Sequence, residues 1–189
     1  MTDESRAVHD ATALRAIAHP IRNRILSEIA AVGPSRAADL ARDLGIPANT
    51  ASFHLRQLAK YGLIEEAPGE ARDRRDRVWR LVNEDGLTID TGELEKAPGG
   101  KAAVAVFRKS ASAWAHHVVD VAYSAEKDPE TLRSITHQAM RLTRAEAVEL
   151  SADLEKVMQA WQQRTRGRDD ARRTYLYTAF LQPYPDETS

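Results

Sequence analysis

Asn49, Phe53, Arg56 and Lys60 carry the most specific chemistry in this chain, standing four, three and four positions apart. At 100° per residue they fall on one face of a helix, with Thr50, Ser52, His54 and Gln57 on its flanks. An amide, an aromatic ring, a guanidinium and an ammonium in one line suit double-stranded DNA. In the major groove Asn or Gln pairs with adenine and Arg with guanine. His54 is expected to touch phosphate or to pack locally rather than read a base. A second cluster, Arg72, Arg74, Arg75 and Arg77, crowds a turn further on and can reach phosphates or the minor groove. Glu70, Asp73 and Asp76 offset most of its charge, so a solvated loop is the competing reading. Other chemistries lack their residues. The chain has no cysteine, hence no disulfide, thiolate metal site or cysteine nucleophile. It shows no Gly-rich phosphate loop, no G-x-S-x-G and no H-E-x-x-H, and its carboxylates are scattered. No catalytic residue and no cofactor are assigned, and no enzyme is expected.

The reading helix needs elements to hold it, and the stretch Ser35 to Ile64 supplies them. Ala37, Leu40, Ala41 and Leu44 recur at helical spacing, with Ser35 placed to cap the start. Gly45 suits the left-handed residue that ends such a helix, and Pro47 suits the first turn of the next. That next helix, 48–61, turns Ala51, Leu55 and Leu58 inward and closes at Gly62. Upstream, Thr12 to His19 reads as a short helix with Leu14, Ile17 and Ala18 inward. His19-Pro20 breaks it, because a residue before proline avoids the helical region. A second helix from Pro20 buries Ile21, Ile25, Leu26 and Ile29, leaves Arg22 and Arg24 on its polar side, and ends at Val32-Gly33-Pro34. Downstream, Leu63 to Ala67 and Arg77 to Val82 are strand candidates joined through Pro68-Gly69 and the charged run. Such a two-stranded ribbon with a basic tip is a wing.

The segment from about Ala13 to Val82 resembles the winged helix-turn-helix domain of the ArsR-type bacterial transcription regulators. A-H-P-I-R-N-R-I-L, Ala18 to Leu26, is similar to that family's first core helix. S-F-H-L-R-Q-L-A-K-Y-G-L-I, Ser52 to Ile64, is similar to its recognition helix and strand start. The resemblance implies a homodimer that binds a roughly palindromic operator, usually as a repressor, with Ser52–Lys60 in the groove and Arg72–Arg77 as the wing. The chain departs from the founding metal sensors, which place cysteines on the helix corresponding to Arg36–Leu44. His116, His117 and Asp120 offer one His-x-x-Asp pair, too few ligands for a closed tetrahedral site, so no metal is assigned.

Composition bounds the rest. A chain of 189 residues, 42% hydrophobic and 29% charged, can bury one core or two small ones. Its net charge of −1 confines any nucleic-acid surface to a local patch. The polar start, unlike a signal peptide, and the lack of an apolar run near 18 residues point to no membrane partner and a cytoplasmic location. The expected domains are 1–90, DNA binding; 91–101, a linker; and 102–189, for dimerisation or an effector. In the last, Ala102 to Ala125 is the longest helical pattern. Phe107, Ala111, Trp114, Val118 and Val121 form a heptad-like seam suited to a dimer helix or to internal core. Lys127-Asp128-Pro129 breaks it. A strand is expected at about Ser134 to Leu142, then a helix capped by Thr143-x-x-Glu146 with Ala147, Leu150, Leu154, Val157, Met158 and Trp161 inward. Another strand is expected at Thr174 to Leu181. Trp114, Trp161, Tyr175, Tyr177 and Phe180 could line a pocket for a small apolar ligand, or simply be core. The fold class is mainly α with small β elements: a winged helix-turn-helix domain, a long helix and a small α/β unit. A winged helix that binds proteins and not DNA is the alternative function.

Overall fold

The computed structural model describes residues 11–70, 77–83, 89–125, 128–167 and 172–184. Its contacts group into two compact units, Met1–Ile135 and Thr136–Ser189.

In the first unit, α1 (Ala11–Ile17) stops where His19 turns extended ahead of Pro20, the first residue of α2 (Pro20–Val32). Arg22 reaches back across the break. Its Nε donates to the Ala16 carbonyl at 2.7 Å and its Nη2 to that of Arg15 at 3.1 Å, which satisfies the open end of α1. Arg24 donates in the same way to the Leu44 carbonyl, 3.2 Å away at the end of α3 (Ala37–Leu44). The two arginines expected on a polar face therefore fasten helix ends.

Ser35 does not cap α3. With Arg36 it forms β1 (Ser35–Arg36), and its hydroxyl donates to the Gly33 carbonyl at 2.8 Å. Arg36 occupies the capping position but its side chain does not cap the helix. The partner of β1 is β3 (Val78–Leu81), some forty residues away, in the register Ser35↔Trp79 and Arg36↔Val78. On its other side β3 pairs with β2 (Ile64–Glu66), giving an antiparallel sheet in the order β1-β3-β2. A 3-10 turn at Pro68–Glu70 follows β2.

Between α3 and α4 (Ala48–Lys60), Gly45 sits at φ 64°, ψ 35°, the left-handed conformation that a side chain disfavours. Leu14, Ile25, Ile29, Leu40, Leu55, Leu58 and Ile64 are fully buried, and Ala51 is sealed beneath α4. Each of the large ones contributes about 1.5–3 kcal/mol of transfer free energy.

The stretch expected to be a connector holds α5 (Thr91–Lys96). Asp90 caps it, accepting from the amides of Gly92 at 2.9 Å and Glu93 at 3.1 Å. The long helix α6 (Gly100–Tyr123) begins two residues before the expected start. Its first turns belong to the winged-helix core, since Ala103 and Val104 are fully buried and Leu94 of α5 nearly so. Further along, the Ser110 hydroxyl donates to the Ala18 carbonyl, joining α6 to the end of α1.

In the second unit, α7 (Arg144–Thr165) is its only regular element among the described residues. Thr143 and Glu146 form the expected capping box: the Glu146 carboxylate accepts from the Thr143 amide at 2.7 Å and the Thr143 hydroxyl from the Glu146 amide at 3.3 Å. That amide bond holds the Glu146 carboxyl below its ordinary value. The strands expected at 134–142 and 174–181 are not formed. Their β-rich composition marks residues that suit a sheet, but a strand exists only against a neighbour, and among the described residues no sheet runs through this unit. The α/β character expected there is corrected accordingly.

Candidate nucleic-acid interface

Helix α4 separates its faces cleanly. Ala51, Leu55 and Leu58 are 0% exposed. Asn49, Phe53, Arg56 and Lys60 are exposed on the opposite side, with Thr50, Ser52 and Gln57 half-buried between. At 1.5 Å per residue the exposed line is about 16 Å long, the scale of a few base pairs. Asn49 is held at the helix start, its side-chain oxygen accepting from the Thr50 amide at 2.8 Å. Phe53 is 50% exposed at the middle of the line.

His54 packs locally, one of the two roles expected of it, and is only 6% exposed. Its ring lies 4.7 Å from that of His19, tilted by 47°, and 5.2 Å edge-on from Phe53. The Nδ1 atoms of both histidines are buried without a hydrogen-bond partner among the described residues. Burial, first, and the nearby Arg22 both lower the pKa of His19. Burial, then His19 and Arg22, lower that of His54. Both rings are therefore held neutral where α4 rests on the α1–α2 break. Sequence reasoning missed His19, although its place before Pro20, facing back toward the helix bundle, was the available signal.

The wing is partly described. Arg72, Arg74 and Arg75 lie outside the described residues. Arg77 is exposed and 3.5 Å from the Glu66 carboxylate. Arg80, which sequence reasoning passed over, faces Glu65 directly across the β2–β3 pair, its Nε and Nη2 donating to one carboxylate oxygen at 2.8 and 2.6 Å. Cations and carboxylates alternate over the ribbon, so a phosphate approaching it competes with ion pairs already formed.

The seam on α6 changes character along its length. Phe107 is half-buried against the core, Trp114 and Val118 are half-buried, and Ala111 and Val121 are exposed. The Trp114 and His117 rings are 5.5 Å apart, and His116 Nδ1 lies 2.8 Å from the Ser112 carbonyl. Among the described residues no three potential metal ligands converge. Trp161, Tyr175, Tyr177 and Phe180 stand largely exposed. No helix among the described residues is long and apolar enough to cross a membrane.

The family described as "Helix-turn-helix domain" matches residues 17–67, the span from the end of α1 through β2. No curated protein matches. Among solved structures, the chain is similar to the homodimeric winged helix-turn-helix DNA-binding domain of Mb0332 from Mycobacterium bovis, described as a possible ArsR-family transcriptional regulator. Identity is 21% over 62% of this chain and 86% of that one, with a TM-score of 0.35. It is also similar to MarR from E. coli, at 16% identity over 79% and 88% of the two chains and a TM-score of 0.34. The transcriptional regulator Tm0710 from Thermotoga maritima shows 12% identity over 77% of each chain and a TM-score of 0.29.

Proposed function

With residues 17–67 forming a helix-turn-helix domain, we propose that the protein is a sequence-specific DNA-binding transcription regulator of ArsR type. In this reading it is a homodimeric repressor that lays α4 in the major groove of a palindromic operator. The observation that carries it is the exposed line Asn49, Phe53, Arg56 and Lys60 on a helix whose other face is sealed in the core. Asn49 and Gln57 have the amides to pair with adenine, and Arg56 the fork to pair with guanine. Phe53 presents an apolar edge suited to a thymine methyl. Thr50, Ser52 and Lys60 reach phosphates, helped by Arg77 and by Arg72, Arg74 and Arg75 of the segment between β2 and β3. His54 takes no part in reading and supports the helix from beneath.

Two copies are needed because one reading helix covers only a few base pairs, and paired half-sites a helical turn apart supply the remaining specificity. The exposed end of the α6 seam, Ala111 to Val121, is the surface through which they meet. The cytoplasm is the matching location.

Selection of binding sites from random duplex DNA tests the proposal and yields the operator. A two-fold symmetric site is expected. With about six phosphate contacts, affinity should fall about a thousandfold between 50 and 200 mM salt. A winged helix that docks on proteins through Phe53 would select no duplex and show a flat salt response.

A further inference from the structure

Among the described residues of the second unit none is buried, and α7 is the one helix. None of the 22 residues of α7 is buried. Yet Leu150, Leu154, Val157 and Trp161 stand four, three and four apart along it, an apolar stripe of the kind that packs lengthwise on another helix. Trp161 is 54% exposed, and Phe180 on the following segment 68%.

Charge says what covers the stripe. Residues 144–155 carry four carboxylates, Glu146, Glu149, Asp153 and Glu155, against one arginine. Residues 156–166 carry Lys156, Arg164 and Arg166 and no carboxylate. The acidic half lies toward the helix N-terminus and the basic half toward the C-terminus, as the helix dipole favours. Two such helices side by side in the same direction set like charges together. Turned antiparallel about a two-fold axis, each acidic half meets the other's basic half while the stripes close on one another. Leu154 lies midway along the stripe, beside that axis.

We propose that α7 is a second dimerisation element, which buries its apolar stripe only by pairing antiparallel with α7 of a second copy of this chain. The proposal deepens the homodimer reading above and rests on it, but it concerns a surface outside the winged-helix unit.

The absence of native cysteine makes the test direct, because a disulfide from a single introduced cysteine joins two protomers. With full-length protein and no DNA, Leu154→Cys should cross-link to a dimer under mild oxidation. Ala147→Cys and Trp161→Cys, equidistant from the axis, should cross-link well when mixed and poorly alone. Amide exchange across 144–165 should slow as concentration rises through the range where the dimer forms. Leu154→Asp should raise the dimer dissociation constant at least tenfold by sedimentation. Three results would each overturn the proposal. Equal cross-linking of all three single variants means parallel helices. A monomer with α7 amides protected means the stripe is covered within its own chain. A dimer in which Leu154→Asp changes nothing and α7 amides stay fast means that α6 alone joins the protomers. The last leaves the DNA-binding reading intact, and duplex binding is read separately.

Discussion

Arg56 and Lys60 sit one turn apart on the same exposed line, and their chemistry separates them. A guanidinium fork pairs with a guanine edge, whereas an ammonium acts on phosphate as a point charge. Arg56→Ala should weaken binding to the selected operator by about 1–3 kcal/mol and relax preference at one base position. Lys60→Ala should weaken all duplexes about equally and reduce the salt slope by about 1. Competition assays against single-position operator variants distinguish the two. At this scale the sequence was legible wherever a residue's role follows from its own helix, as for Ala51, Leu55 and Leu58. For His54 it left phosphate contact and local packing open, because the inward turn of that ring depends on His19, thirty-five positions upstream, and no periodicity within one helix reports that contact. The pair also has a pH signature. Both histidines have folded pKa values below the ordinary 6.5, so the unfolded chain takes up their protons first on acidification. Their neutral burial costs nothing in proton binding above about pH 6.5, and stability is lost as pH falls below it. Urea unfolding of the wild type should therefore show a falling midpoint between pH 7 and 5. His54→Gln, which cannot titrate, should flatten that fall even if it lowers stability throughout.

Elements are limited by where their backbone groups find partners. The α3–α4 turn could be read locally, since Gly45 and Pro47 supply the conformations it requires. Strand β1 could not, because the backbone of Ser35 is used by Trp79. Helix α5 was missed although Asp90 followed three residues later by Glu93 is a helix-start pattern; the surrounding Pro and Gly outweighed it. The join between α5 and α6 is tight. A Cβ on Gly100 would lie 1.7 Å from the Leu94 carbonyl oxygen, a backbone atom that cannot rotate aside. Gly100→Ala should destabilise the first unit by about 1–3 kcal/mol or more, as overpacking does. Thermal unfolding of the full chain measures it, and an unchanged midpoint would show that α6 can start elsewhere.

For the molecule as a whole, the winged-helix half could be read in order because each helix carries its own apolar stripe and they share one core. The second half resisted for the opposite reason. Its apolar residues were assigned to an internal core, and in the single chain they are exposed. The α6 seam gives the sharpest test of assembly. Val118→Asp places a carboxylate in a half-buried apolar line without touching the winged-helix core. It should raise the dimer dissociation constant at least tenfold, equivalent to about 1.4 kcal/mol, and weaken operator binding while circular dichroism stays native. A change under twofold would remove α6 from the interface.

The small sheet has a further consequence. With β3 in the centre, its two outer edges are β1, two residues long, and β2, three residues long and bearing Glu65 and Glu66 on its exposed positions. Short edges and edge charges are the features that keep sheets from templating one another into aggregates. The reading head is thus a poor seed for stray strands, its own nascent copies included. Among the described residues most of the large exposed apolar side chains lie beyond residue 135, so solubility is put at risk there and not at the sheet.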